Sequence, residues 1–298
     1  MKINSGNLRT LGTGFQTRFQ GGLGQAEAQA DLVATVVPSS TGSEEYGWLG
    51  KVPNVREWLG DRVVNNATKS DYKIKNRDFE LTMAVDRNDI EDDNLGIYGP
   101  LFEEMGRSSG AFPSQLVFGL LKNGFNTACY DGQYFFDTDH PVLGADGVTV
   151  NSVSNVTAGA AAPWFLMDLS RAIRPIILQK RKDFQFVPMD NPDDPNVFHK
   201  KQFLYGVDAR MNVGFGFWQF AFASKTALDT AGYAAAFTAL EGLKGDMDRP
   251  LGIRPTHLVV PPVYREAAQR ILNNENDAAG ASNPWKGSAK LEVVPWLA

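Results

Sequence analysis

Cysteine is almost absent: Cys129 is the only one in 298 residues. A lone thiol excludes an internal disulfide, and without a cysteine pair there is no zinc framework, so Cys129 is expected to be a small core residue. Positive charge is also in deficit, with 29 Lys and Arg against 34 Asp and Glu and a net charge of -5. That balance argues against a protein whose main work is gripping phosphate backbones, which needs a basic stripe. Nowhere do about 18 consecutive apolar residues suggest a membrane span, and MKINSGNLRTLGTGFQTRF at the start has no apolar run resembling a signal peptide. The expectation is a chain made and folded in a cytoplasm. No G-x-x-x-x-G-K-[ST] is present, which excludes a P-loop ATPase. Gly22-x-Gly24 lacks the third glycine of a dinucleotide fingerprint, and Gly214-x-Gly216 falls in a strand-like run.

What is present is organised around the stretch from Asp93 to Pro141. Ile97, Leu101, Phe102 and Met105 recur at the spacing of one helical face, and Leu116, Val117, Leu120 and Leu121 resume it. Pro100 suits a first turn, whereas Ser109-Gly110 and Pro113 should bend or restart the helix. A helix of about 25 residues spans roughly 37 Å, enough for a spine. Before it, Gly21-Gly22-Leu23-Gly24 is expected to break regular structure, and Gln25 to Ala34 to form a short helix. Arg62 to Asn65 and Tyr72 to Lys75 read as strands about a polar turn, and Phe79, Leu81, Met83 and Val85 alternate with period two. Asp86 is placed to cap a short acidic helix.

After the spine, Trp164 to Met167, Arg174 to Gln179, Phe184 to Val187, Gln202 to Val213 and Phe215 to Ser224 are strand candidates. The last is so aromatic that both faces must be buried. Asp229 should open an Ala-rich helix, and His257 to Pro262, Pro262 to Asn273 and Leu291 to Leu297 read as strand, helix and strand of a small α/β lobe.

One catalytic pattern appears literally. Gly106-Arg107-Ser108-Ser109-Gly110 matches G-x-S-x-G, with His140, His199 and His257 as conceivable partners, and a soluble hydrolase or ligand-binding protein is the alternative reading. A nucleophile elbow needs a strand before it, and the residues preceding Gly106 are helical in pattern. Asp137, Asp139 and His140 suggest a cation site, but no second His or Cys stands at ligand spacing nearby, and an Asp-rich turn before Pro141 is simpler. Asp89, Glu91, Asp92 and Asp93 read as solvated acids at a helix start. No catalytic, cofactor or metal residue is therefore assigned.

EYGWLGKVPNVREWLG, DIEDDNLGIYGP, GRSSGAFPSQLVFGLLKNGF, CYDGQYFFDTDHP, FLYGVDARMNVGFGFWQ and LGIRPTHLVVPP, in this order, resemble the major head subunit of Mu-like tailed phages and prophages. The resemblance covers nearly the whole chain. It implies an α+β fold of the Hong Kong 97 capsid type. Residues 1–44 would be an N-terminal arm lying on a neighbouring subunit, and 45–90 an extended β-hairpin loop. Residues 91–140 and 176–222 would form a peripheral domain carrying the spine helix, and 141–175 and 223–298 an axial domain. The implied function is self-assembly into an icosahedral head, in pentamers and hexamers, within the bacterial host cytoplasm. Implied partners are a scaffold or protease, a portal and decoration proteins, around double-stranded DNA held without sequence-specific contacts. Intersubunit contacts are expected at the aromatic anchors Trp48, Trp58, Trp218 and Phe220, since buried Trp and Phe carry disproportionate contact energy. Val64, Tyr72 and Ile74 are expected to join them from the loop.

Overall fold

The protein is described here by a computed structural model, which covers residues 2–47, 49, 72–92, 94–276 and 280–298. Trp48, Trp58, Val64 and the strand expected at 62–65 lie outside the described residues. Asn4 caps the first helix, α1 (Ser5–Gln25), by accepting from the Asn7 amide. The helix runs through Gly21, Gly22 and Gly24, where a break was expected, and Gly22 fits a helix crossing described below. Short α2 (Ala30–Val33) leads into β1 (Ala34–Pro38) and β2 (Ser43–Glu45). After the loop come β3 (Lys73–Lys75), β4 (Arg77–Asp86) and α3 (Arg87–Glu91), the last capped by Asp86 as its sequence suggests.

The spine is one helix, α4 (Tyr98–Lys122), with Pro100 in its first turn and Pro113 inside it. It does not restart at Pro113. Met105 and Ser109 before the proline, and Val117 and Leu121 after it, bury one continuous face, and that packing outweighs the single hydrogen bond Pro113 removes. The buried stripe is also rotated from the expected one: Tyr98, Phe102 and Met105 point inward, while Ile97 and Leu101 are exposed.

The second half alternates strands with short helices. β5 (His140–Leu143) and β6 (Val150–Val153) form a hairpin, followed by β7 (Val156–Thr157) and β8 (Trp164–Met167). The two runs at 174–187 prove to be one long strand, β9 (Ile176–Met189), which turns through α5 (Pro195–Lys200) into β10 (Gln202–Phe215). The run expected as a strand to Ser224 breaks at a 3-10 turn, Trp218–Phe220, and only β11 (Ala221–Ser224) is extended. Every residue from Phe215 to Phe222 except Gln219 is buried, so no polar alternation marked where the strand stopped. α6 (Thr230–Glu241) is capped by Asp229, and β12 (Lys244–Gly245), β13 (Arg249–Pro250), β14 (His257–Val260), α7 (Arg265–Asn273) and β15 (Lys290–Val293) complete the chain.

Two sheets organise these pieces. Strands β1-β9-β10-β4 form one, with β1 parallel to β9 and the rest antiparallel. Strands β15-β14-β8-β11-β7 form the other, whose β14 and β15 are the parallel pair of the expected α/β lobe. The larger core runs from the C-terminal half of α4 through the five-stranded sheet. A smaller core joins α1, the N-terminal half of α4, α5 and the adjoining end of β10.

Candidate assembly elements

Helices α1 and α4 cross in close contact. A Cβ on Gly22 would lie 1.8 Å from the Glu103 carbonyl oxygen, and one on Gly106 would lie 2.0 Å from that of Phe19. Gly110 repeats the pattern four residues on, where a Cβ would meet the Ala26 Cβ at 2.6 Å. Backbones can approach this closely only where side chains are absent from both helices. Around the crossing, Phe15 stacks on Phe102 at 4.2 Å between ring centroids and meets the Tyr205 edge at 5.2 Å. Leu8, Phe15 and Phe19 are thereby buried inside their own chain. The apolar face of residues 5–25 thus covers the subunit's own spine.

The same glycines dispose of the hydrolase reading. Gly106 and Gly110 belong to the crossing, Ser109 is buried with its hydroxyl donating to the Met105 carbonyl, and Ser108 lies on the exposed side of the helix. None of the three histidines bonds to either serine: His140 pairs with Asp131, His257 with Thr256, and the His199 ring meets Phe198.

A second assembly of polar groups ties down the two ends of the 48–71 segment. β2 and β3 pair from Ser43 with Lys75 to Glu45 with Lys73. Behind that ladder, the fully buried Gln179 accepts from the Tyr46 hydroxyl at 2.8 Å. Its amide nitrogen donates to the Ile74 carbonyl at 3.1 Å and the Asn76 side chain at 2.7 Å. Asn76 in turn donates to the Ser39 hydroxyl and the Thr41 carbonyl. Each buried polar group thus finds a partner, as it must away from water.

Of the expected intersubunit residues, Tyr72, Ile74, Trp218 and Phe220 are among those described. The Tyr72 hydroxyl accepts from the Phe215 amide at 2.7 Å, and burial pushes its pKa up to about 12. Ile74 is 3% exposed and packs over Gly214, whose Cβ would collide with it at 2.2 Å. Trp218 and Phe220 are 1% and 4% exposed, with Trp218 stacked on His140 at 3.9 Å. Ile74, Trp218 and Phe220 therefore belong to the subunit's own core, and Tyr72 is anchored to β10. Large apolar side chains serve core and interface equally well, so residue type alone does not separate the two uses.

His140 also corrects the statement that no cysteine accompanies it. Turns between Cys129 and His140 bring Cys129, Asp131 and His140 together, their ligand-type atoms within 4.8 Å of one another. The Asp131 carboxylate accepts from the Cys129 thiol, the Gln133 amide and His140 Nδ1. Burial, and the neighbouring Asp131 charge, push the thiol pKa up, so Cys129 stays a protonated donor and not a nucleophile. Both carboxylate oxygens are already occupied, while His140 Nε2 is buried with no hydrogen-bond partner among the described residues.

These buried acids and His257 set a pH dependence. Burial raises the Asp131 and Asp168 carboxyls, but donated hydrogen bonds outweigh it and hold both below the ordinary 3.8. The leading donors are the His140 and Cys129 side chains for Asp131, and Ser170 with the Arg254 amide for Asp168. Burial, helped by Lys290 and Arg174, lowers His257 from its ordinary 6.5. All three have folded values below their unfolded ones, so their stabilisation is present at neutral pH and is lost as pH falls through the folded values. The subunit's melting temperature is expected to fall below pH 6.5 and again below pH 3.8. Thermal melts from pH 8 to 3 check this, and Asp168→Asn should flatten the lower step.

The family described as Mu-like prophage major head subunit gpT matches residues 8–297. The chain belongs to this family. The head subunit is 45% identical to the "Mu-like prophage FluMu major head subunit" of Haemophilus influenzae, covering 97% of each chain. It is 41% identical to the "Major capsid protein" of Escherichia phage Mu over the full length of both. Among solved structures it superimposes on a subunit of the procapsid of bacteriophage JBD30 with a TM-score of 0.86, at 45% identity over 99% of this chain and 100% of that one. The JBD30 capsid gives 0.81 at 34% identity, with both chains fully covered. The α+β architecture is thus that of phage capsid subunits of the Hong Kong 97 type, and the family is structural and not enzymatic.

Proposed function

We propose that this head subunit builds a closed icosahedral shell from copies of itself, meeting its neighbours in pentamers and hexamers, and that it does so in the bacterial host cytoplasm. The observation carrying the reading is the end-to-end agreement with subunits of both a procapsid and a capsid. The net charge of -5 suits a container whose wall must not grip the double-stranded DNA inside it. A scaffold or protease and a portal are its assembly partners. Decoration proteins are a third class, supported by a JBD30 capsid described as decorated with minor capsid protein trimers, at a TM-score of 0.78.

The division of labour follows the two sheets. Residues 45–90 act as the extended loop, rooted by β2, β3 and Gln179. Residues 91–140 and 176–222, with α4 and the long strands, act as the peripheral domain, and 141–175 and 223–298, with most of the five-stranded sheet, act as the axial domain. Residues 1–44 are the arm, clasped to the spine through α1 in the state described. Val64, Trp48 and Trp58 remain the loop-side contact candidates.

Co-expression with the phage assembly factors, followed by sedimentation velocity and electron microscopy, tests the reading. Closed shells or free pentamers and hexamers are the expected result. A strictly monomeric protein at high concentration under all conditions overturns it.

A further inference from the structure

The turns between α4 and β5 hold three side chains of different ligand chemistry. The Cys129 amide donates to the Gln133 carbonyl at 2.8 Å, and the turn they close contains Gly132 at a left-handed φ of +89° and is flanked by a bridge between Ala128 and Tyr134. Asp131 lies within that turn. His140 opens β5, paired with Val153 of β6, and its ring stacks on Trp218 at 3.9 Å between centroids and 9° from parallel. Backbone pairing and ring stacking therefore place the three side chains, in addition to their contacts with one another.

With protein partners alone, two protons hold the group together. The Cys129 thiol donates to one Asp131 oxygen at 3.0 Å, and His140 Nδ1 donates to the other at 2.7 Å. That arrangement leaves a deficit. His140 is fully buried, yet its Nε2 has no hydrogen-bond partner among the described residues, a cost that a buried group held only for packing ordinarily avoids. The Asp131 carboxylate, 10% exposed, brings a negative charge into the same place.

We propose that Cys129, Asp131 and His140 bind one divalent cation of the zinc class, in a structural and not a catalytic site. A sulfur, an imidazole nitrogen and a carboxylate favour a borderline-soft ion over magnesium or calcium, which take oxygen ligands. The ligand-type atoms lie within 4.8 Å of one another. Tetrahedral zinc needs ligand atoms about 3.3–3.8 Å apart, so small side-chain adjustments spread the two hydrogen-bonded contacts around an ion. Solvent water, reaching the ion past the partly open Asp131 side, completes four ligands. The protons balance. The thiol proton leaves to solvent, the ring proton passes from Nδ1 to Nε2, and thiolate and carboxylate together match the charge of the ion. Because Nε2 has no partner among the described residues, the exchange breaks no hydrogen bond there. The bound ion fastens the turns after α4 to the first residue of β5, beside the 3-10 turn that carries Trp218.

Titrations of the full-length, unassembled subunit with cobalt and zinc test the site independently of shell formation. One equivalent of Co²⁺ should give the near-ultraviolet absorption of a thiolate-to-cobalt transition with the visible bands of tetrahedral cobalt, and zinc should remove both. Zinc at about a hundredfold over its dissociation constant should raise the melting temperature by about 5 °C, and magnesium should leave it unchanged. Cys129→Ser keeps a hydroxyl to donate to Asp131, and His140→Asn keeps an amide near the position of Nδ1, so both should fold. Each should weaken zinc binding by at least about tenfold, and Cys129→Ser should lose the ultraviolet band. A wild-type subunit without the thiolate band, or a zinc-induced rise that survives in Cys129→Ser, overturns the proposal. The wild-type spectrum decides the matter even where a variant fails to fold.

Discussion

Gly106→Ala is expected to destabilise the head subunit by about 3 kcal/mol, where helix propensity alone gives a gain of about 1 kcal/mol. The sign is the informative part. In an exposed helix, alanine is the better residue because it restricts the unfolded chain. At Gly106 the added methyl would stand 2.0 Å from the Phe19 carbonyl oxygen, a backbone atom that moves only if α1 is pushed off α4. Displacing α1 uncovers Phe15, Phe19, Phe102 and Met105 together. Gly22→Ala should behave alike, and the two losses should add up to less than their sum, since either one opens the same crossing. Gly21 and Gly24 lie in the same helix with nothing within 4 Å of a Cβ, so alanine there should stabilise by about 0.5–1 kcal/mol. Urea denaturation of the four variants checks both signs. Equal effects at Gly24 and Gly106 would remove the crossing from the argument.

Replacing Gln179 by leucine should cost about 3 kcal/mol. The shapes are similar, so the loss comes from polar partners left behind in a site that water does not reach. The Tyr46 hydroxyl loses an acceptor, and the Ile74 carbonyl and Asn76 side chain lose a donor. Because those partners stand on both sides of the 48–71 segment, the variant should also be cleaved faster by protease at that segment, at a concentration of urea too low to unfold the subunit. An Asn76→Ala variant should reproduce the cleavage, since Asn76 passes the same connection on to Ser39 and Thr41. A Gln179→Leu protein with wild-type cleavage would show that the ladder of β2 and β3 holds the segment without help.

How far this molecule was legible in its sequence depends on whether a residue's surroundings are local. The caps at Asp86 and Asp229 act on amides two and three residues away, and both were readable. The alternation of β4 was readable for the same reason, since Glu80, Thr82 and Ala84 lie on a face open to solvent. The buried run from Phe215 was not, because a stretch with no wet side carries no period. Gly106 and Gly110 stood in plain view at helical spacing. Read as a serine motif they pointed to catalysis. As a pair four apart on one helix face, they point to a helix crossing, and only the partner glycine in α1 decides between the two. Gln179 gave no signal at all, being one amide at the end of an apolar run whose partners lie more than a hundred residues away. Trp218 and Phe220 illustrate the reverse case, where a signal is strong and ambiguous.

The ladder joining β2 to β3 has a mechanical consequence. Its two strands lead away into the same segment, so a force drawn along that segment loads them side by side, and the pairs bear it one after another and not all at once. Opening would start at Glu45 and Lys73, pass Glu44 and Ile74, and reach Ser43 and Lys75. This is the weak direction of a two-stranded ribbon, and three pairs alone would part under modest tension. Gln179 changes the outcome, because it grips Tyr46 on one strand's exit and Ile74 and Asn76 on the other from within the four-stranded sheet. Tension that would peel a free ribbon is handed to β9, whose long pairing with β10 runs along the strand and resists as a whole. A particle whose wall is strained from inside would therefore feel the pull of each loop in the body of the subunit that bears it.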